Sequence, residues 1–380
     1  MRQNPKPLEV LQPQGPPFEV NNRVVSWQKW KFQLGWNLRE GPVLHNVRYD
    51  NRSLFYRVPL SGMTVPYGDP RSPYYRKQAS NLGDSGFGLT SNSLEMGCDC
   101  LGHIAYFDGI RKTSNGDPGI IRNVVCMHEV DDGVGWKHTN WRNGGTSVAR
   151  DRQPIVQCTV TVANSNYILA FVLDQAANLH IEAWTPSVAP FASNVRQLLD
   201  LEAMISISQK NRVYSIINES RTNPVSGKRH GYKLYAIPSQ MLMMDTYTFN
   251  YRRGVFASRP IWVTRYRDDG LWAAGESTNQ SREDTGLPAY AAGDENIQNE
   301  DVALWHSFDI THVTRPEDFP VMPVEKMSMA LKPTSFFDLN PANDVPRSSQ
   351  TINKSTLHNS NIKTDTSVSC CANNSPDAKL

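Results

Sequence analysis

The chain has 380 residues, a formal net charge of +2 and an apolar fraction of 39% that includes nine Trp and fourteen Tyr. That length can bury a sizeable core as one large all-β domain or two ordinary ones, and the near-neutral balance excludes the broad basic surface that nucleic acid or an anionic membrane would need as a partner. No apolar run is long enough to span a bilayer, and the polar start Met1-Arg2-Gln3-Asn4-Pro5 is no secretory signal.

Residues 1–23 are rich in Pro and Gln and predict an extended N-terminal arm. From Val24 to Trp36 apolar and polar residues alternate, which predicts one half-exposed strand. Asn37-Leu38-Arg39-Glu40-Gly41 then predicts a turn, and Val47-Arg48-Tyr49 with Leu54-Phe55-Tyr56-Arg57-Val58 a hairpin around Asp50-Asn51. Gly83-Asp84-Ser85-Gly86 invites a serine-hydrolase reading, but nothing ties His103 or His128 to Ser85 as a base.

Six cysteines do not make a disulfide scaffold at this length. Cys98-Asp99-Cys100 has no second ligand pair at the regular spacing of a zinc site. His128 and His138 are expected to be ordinary hydrogen-bonded histidines. Thr161 through Tyr167, followed by Ile168-Leu169-Ala170-Phe171-Val172-Leu173 and bounded by Asn178 and Pro186, predicts a strand buried on both faces. The tail from 347 to 380 is polar and flexible in composition, and it ends in Ala378-Lys379-Leu380, a variant of the Ser-Lys-Leu address read by the peroxisomal import receptor.

Longer motifs carry a family resemblance. Ser26-Trp27-Gln28-Lys29-Trp30, Arg39-Glu40-Gly41, the run from Gly97 to Asp108, Met127-His128-Glu129-Val130-Asp131-Asp132-Gly133, Asn223-Pro224-Val225-Ser226-Gly227-Lys228 and Ile310 through Pro320 resemble the catalytic domain of the copper amine oxidases. The resemblance runs over 24–346 and is interrupted or shortened at about 186–218, and the family's smaller preceding domains are expected to be absent. It implies a mainly β chain, a large antiparallel β-sandwich, here expected to be incomplete, that dimerises through long hairpin arms as a homodimer. It also implies a disulfide between Cys100 and Cys126, and an oxidoreductase that turns a primary amine, O2 and water into an aldehyde, ammonia and hydrogen peroxide with copper and topaquinone as cofactors.

Carried over residue by residue, the resemblance empties the centre. Aligned from Thr161 through Asn164 to Gln175, the tyrosine that becomes topaquinone falls on Ser165, which has no ring to oxidise. Tyr67 matches the tyrosine that contacts the quinone, but the general-base aspartate falls on Asn81, an amide without a basic lone pair near neutral pH. The first two copper ligands form a His-x-His in the family, yet no two of the nine histidines stand two residues apart, and the nearest match puts Val195 and Gln197 there. His312 matches the third ligand. The expectation is a redox-inactive peroxisomal pseudoenzyme, a relic or the product of a gene model that lacks coding segments. One alternative is an active oxidase with Tyr167 as the quinone precursor, two residues along and on the same face; another is a repurposed pocket that binds a metabolite or performs non-redox chemistry. Lost central segments are also expected to open sheet edges.

Overall fold

Alternation of buried and exposed side chains builds a five-stranded antiparallel meander from β1 (Phe18–Asn21), β2 (Val24–Trp27), β3 (Trp30–Asn37), β4 (Gly41–Tyr49) and β5 (Arg52–Val58). The computed structural model describes residues 6–65, 72, 86–162, 165–185, 213–236, 246–276, 285–309, 312 and 315–356. The single strand expected over Val24–Trp36 is two strands. Val25 and Trp27 face inward, then Trp30, Phe32 and Leu34 do, so the adjacent polar pair Gln28-Lys29 breaks the period of two. Trp27 pairs with Trp30 across that turn, and Gln28 takes a left-handed φ of 50°. The hairpin at Asp50-Asn51 is as expected, with both residues at positive φ and Tyr49 opposite Arg52. The sheet already begins at Phe18, inside the stretch expected to be an arm, because Phe18 is buried opposite Trp27.

The second sheet is larger. Its strands are β6 (Ala105–Lys112), β7 (Pro118–Thr139), β8 (Thr146–Val162), β9 (Ser165–Leu173), β10 (Leu179–Thr185), β11 (Tyr214–Thr222) and β12 (Arg229–Tyr235). A separate pair, β13 (Ile261–Arg265) and β14 (Val302–His306), precedes β15 (Glu325–Thr334), which returns to the large sheet. The order of the eight strands is β11-β12-β15-β10-β9-β8-β7-β6, every described pairing antiparallel. Late in the chain β15 therefore inserts between β10 and β12 and ties the segments on either side of 186–212 into one sheet.

The stretch from Thr161 to Tyr167 is not one strand. Val162 lies opposite Ser165 and Thr161 opposite Asn166, so β8 ends and β9 begins there. Burial on both faces holds for Leu169–Leu173, in the middle of the sheet. The sequence misled because polar Asn and Ser inside an apolar context signal a turn as well as a strand end.

The two sheets face one another across a single main core. Trp27, Trp30, Phe32 and Leu34 from the meander pack with Val125, Met127, Val156, Leu169 and Phe171 from the large sheet. Three aromatic side chains carry their polar tips across this layer. Trp30 Nε1 donates to the Asp174 carbonyl at 2.7 Å, Trp27 Nε1 to Glu129 Oε1 at 2.9 Å, and the Tyr49 hydroxyl to the Gln175 carbonyl at 2.8 Å. Each satisfies a polar atom that would otherwise be stranded in the core.

The hairpin of β7 and β8 runs past the core. Its ladder extends to Thr139 opposite Thr146, with Trp141 84% exposed at the tip. At one edge of the large sheet β11 is exposed from Ser215 through Thr222, Ile216 and Ile217 included. Among the described residues no helix is long and apolar enough to cross a membrane.

Candidate active site

The first position of β9 is Ser165, and Tyr167 follows on the same face. Both are half-buried. Tyr167 lies opposite the fully buried Val160 and packs against the main core. The strand end is pinned by polar contacts: Asn92 Nδ2 donates to Thr161 Oγ1 at 2.7 Å, and that hydroxyl donates to Asn166 Oδ1. Tyr67 and Asn81 lie outside the described residues, as do Val195, Gln197 and the end Ala378-Lys379-Leu380.

His312 is the one predicted copper-ligand histidine whose placement is described. Its Nε2 lies 2.9 Å from Asp318 Oδ2, and the Asp318 side chain is 1% exposed. Asp318 closes a short 3-10 turn, Pro316–Asp318, that starts after Arg315. Its carboxylate also accepts from the Arg315 backbone N–H at 3.0 Å and from Arg315 Nε at 3.2 Å. The hydrogen bond from His312 is the first cause, and the two from Arg315 add to it, that hold the carboxyl down to about 2 against an ordinary 3.8. With Nε2 committed to a carboxylate, the imidazole keeps the Nδ1 lone pair for any metal, the arrangement in which an outer carboxylate orients a ligating histidine.

A pH prediction follows from that depressed carboxyl. Its stabilisation is complete above about pH 4 and is lost as pH falls through the folded-state value near 2. Urea unfolding of the parent and of Asp318→Asn should therefore differ most at neutral pH, and the gap should close between about pH 4 and pH 2. An equal gap at both ends of that range would show that Asp318 is not ionised in the folded protein.

Among the described residues, those around His312 do not fit a copper centre. One imidazole beside an already engaged carboxylate is too sparse a donor set for Cu(II), which is held by several imidazoles. Among the described residues, the group of three side chains that comes within ligand distance is Cys100, Cys126 and His128, not a group at His312. Nor can Ser165 supply a quinone.

Several expectations fall elsewhere. Cys100 and Cys126 form a disulfide. His128 is not the hydrogen-bonded histidine expected: it is 8% exposed, and its Nδ1 is buried without a hydrogen-bond partner among the described residues. The last two glycines of the Gly-Asp-Ser-Gly-Phe-Gly run, Gly86 and Gly88, have a packing reason. A Cβ on Gly88 would meet the Asn37 carbonyl at 2.1 Å, one on Gly86 the Leu38 carbonyl at 2.6 Å, and Phe87 between them is buried. Ser85 itself is outside the described residues. Asp318, which the sequence did not single out, was marked by its place three residues after Arg315 with a proline between, a sequence that starts a helical turn. A polar cavity of about 260 Å³ near α1 (Leu287–Ala292) is lined by Arg265, Arg267, Asp269, Tyr290 and Glu295. Its arginines are already paired, Arg265 with Glu300 and Arg267 with Glu295.

Comparison with known proteins extends the motif resemblance over nearly the whole chain. The family model for the copper amine oxidase enzyme domain matches in two pieces, residues 19–187 and 183–352, which meet where the motif resemblance is interrupted. Copper amine oxidase 1 of Aspergillus niger is 35% identical over 411 residues, covering 91% of this chain and 61% of that protein. An alignment longer than the chain itself means that some positions of the relative face a gap here. The peroxisomal primary amine oxidase of Pichia angusta is 32% identical, again over 91% of this chain and 61% of the relative. The crystal structure of a copper-containing benzylamine oxidase from Hansenula polymorpha superposes with a TM-score of 0.85 at 39% identity, covering 92% of this chain and 65% of that one. The chain thus spans less than two thirds of the length of these relatives. With an enzyme-domain match along almost its full length and the same antiparallel sandwich, the chain belongs to the copper amine oxidase family.

Proposed function

We propose that this chain is a redox-inactive member of its family, a sandwich that keeps the scaffold of a primary-amine oxidase without its cofactor chemistry. The observation that carries the reading is Ser165 at the head of β9, where the resemblance places the quinone precursor. Two further features support it: among the described residues His312 is a single imidazole tied to Asp318, and the resemblance puts Asn81 at the base position. The steps of amine oxidation are serial, so each loss alone is expected to cut turnover severely. Tyr167 is a poor substitute precursor, since its ring packs against the core opposite Val160.

The two-piece family match supports a missing stretch close to the junction near residue 185, about ten residues before Val195 and Gln197, the nearest match to the family's His-x-His. The end Ala378-Lys379-Leu380 supports peroxisomal delivery, a location named for one of its relatives. The long hairpin of β7 and β8 supports assembly as a homodimer through such arms. The deciding experiment loads the purified chain with Cu(II) under air, then measures bound copper, quinone staining and peroxide release on methylamine and benzylamine. The expected result is substoichiometric copper, no stain and no amine-dependent peroxide. Stoichiometric copper with stain would overturn the reading and make Tyr167→Phe the next variant.

A further inference from the structure

The register of β6, β7 and β8 gathers an unusual group on one face of the large sheet. Tyr106 pairs with Cys126, and Cys126 with Gln157, so these three side chains form one row. His128, two residues after Cys126, projects from the same face one row on, opposite Ile155. The loop after Met96 brings Cys100 over this face, 2% exposed, against Leu94, Cys126, Ile104 and Tyr106. Ligand atoms of Cys100, Cys126 and His128 all lie within 4.8 Å of one another, and all three residues are buried.

Two of the residues around the disulfide carry a buried polar atom with no hydrogen-bond partner among the described residues. The atoms are His128 Nδ1 and the Tyr106 hydroxyl. A buried orphan donor or acceptor destabilises a fold by about 1–3 kcal/mol, and such groups otherwise find partners in nearly every native interior. Burial also lowers the His128 pKa, which favours the neutral imidazole that metals bind.

We propose that the reduced form of this site, with Cys100 and Cys126 as thiolates and His128 as the third ligand, holds a thiophilic d10 cation such as Zn(II). The S–S bond is broken by a dithiol, which becomes a cyclic disulfide as it transfers two electrons and two protons to the cysteine sulfurs. The incoming divalent ion then displaces those two protons to solvent. Tetrahedral ligation with Zn–S bonds of about 2.3 Å separates the sulfurs by roughly 3.8 Å. The Cα atoms of the two cysteines are 7.1 Å apart, which leaves room for that. Three protein ligands and one position for water complete the coordination. The chain would then carry a metal whose binding is governed by the redox state of one disulfide, at a site separate from His312 and independent of any amine chemistry.

The test uses the full chain with Cys98, Cys370 and Cys371 changed to serine, so that exposed and tail thiols neither bind metal nor cross-link chains. Air-oxidised and dithiol-reduced samples, the latter freed of reductant without air, are titrated with Co(II). Thiol titration and circular dichroism monitor reduction and folding. The expected result is one Co(II) per chain with thiolate charge-transfer absorption in the reduced sample alone, displaced by one equivalent of Zn(II). His128→Gln should weaken binding by more than about tenfold, the lower bound for disturbing even an outer-sphere partner, and Cys126→Ser should abolish the charge-transfer band. Equal uptake by oxidised and reduced protein, or undiminished uptake by His128→Gln, overturns the proposal. So does a thiol count that rises by two only when the dichroism of the folded chain is lost, since the pair would then be a purely structural disulfide.

Discussion

Replacing Ser165 with tyrosine should not bring amine oxidation back: peroxide release by Ser165→Tyr on benzylamine should stay at the no-enzyme level. The position can take the larger side chain, because Ser165 is half-buried at the head of β9 and not in the continuously buried Leu169–Leu173 segment. A ring in the right place is still insufficient. Its oxidation depends on a bound metal, and among the described residues the donor set at His312 is one imidazole with Nε2 already engaged by Asp318. If some quinone did form, the amide of Asn81 in place of a carboxylate would still remove a general-base contribution of about 10²–10⁴ in rate. Stain and peroxide in Ser165→Tyr but not in the parent would show that the metal ligands are present and that the positions assigned to Val195 and Gln197 are misaligned. Colour in the parent as well would place the precursor at Tyr167.

Much of this was legible before any coordinates, for physical reasons that differ from residue to residue. The Asp50-Asn51 hairpin could be read because left-handed turn positions select Asn and Asp. The disulfide came with the family motifs and not from spacing, since six cysteines at this length specify no pairing. The break between Trp27 and Trp30 was present in the sequence as a phase shift in alternation, but it was hidden because every second residue on both sides is apolar. The end of β8 at Val162 and the start of β9 at Ser165 are hidden for the opposite reason: the family motif spans both, and a continuous motif suggests a continuous strand. His128 shows the real limit of sequence reading. A histidine two residues after a cysteine gives no sign of which loop will close over it, and only the pairing of β7 with β6 and β8, with the loop carrying Cys100 laid across them, reveals an imidazole left without a hydrogen bond.

Trp30→Ala should destabilise the folded chain by about 3–5 kcal/mol, the range for removing a large aromatic side chain from a packed core. Trp30 is 1% exposed and meets Tyr49 edge-on with ring centroids 5.1 Å apart. Its N–H reaches across the sandwich to the Asp174 carbonyl, just beyond the last residue of β9. Truncation therefore opens a cavity between the sheets and also strands a buried acceptor. Trp30→Phe separates the two effects, because it keeps most of the apolar contact and loses only the hydrogen bond, for an expected loss of about 1–3 kcal/mol. Trp36→Ala is the comparison: that indole is only partly buried and bonds the Ile110 carbonyl at an exposed position, so its truncation should shift the urea midpoint least. If all three variants unfolded at the same urea concentration, the meander would not be packed on the large sheet. Trp30 lies in the core between the sheets and Ser165 at the head of β9, so a loss of stability in Trp30→Ala and an unchanged peroxide blank in Ser165→Tyr would be independent results.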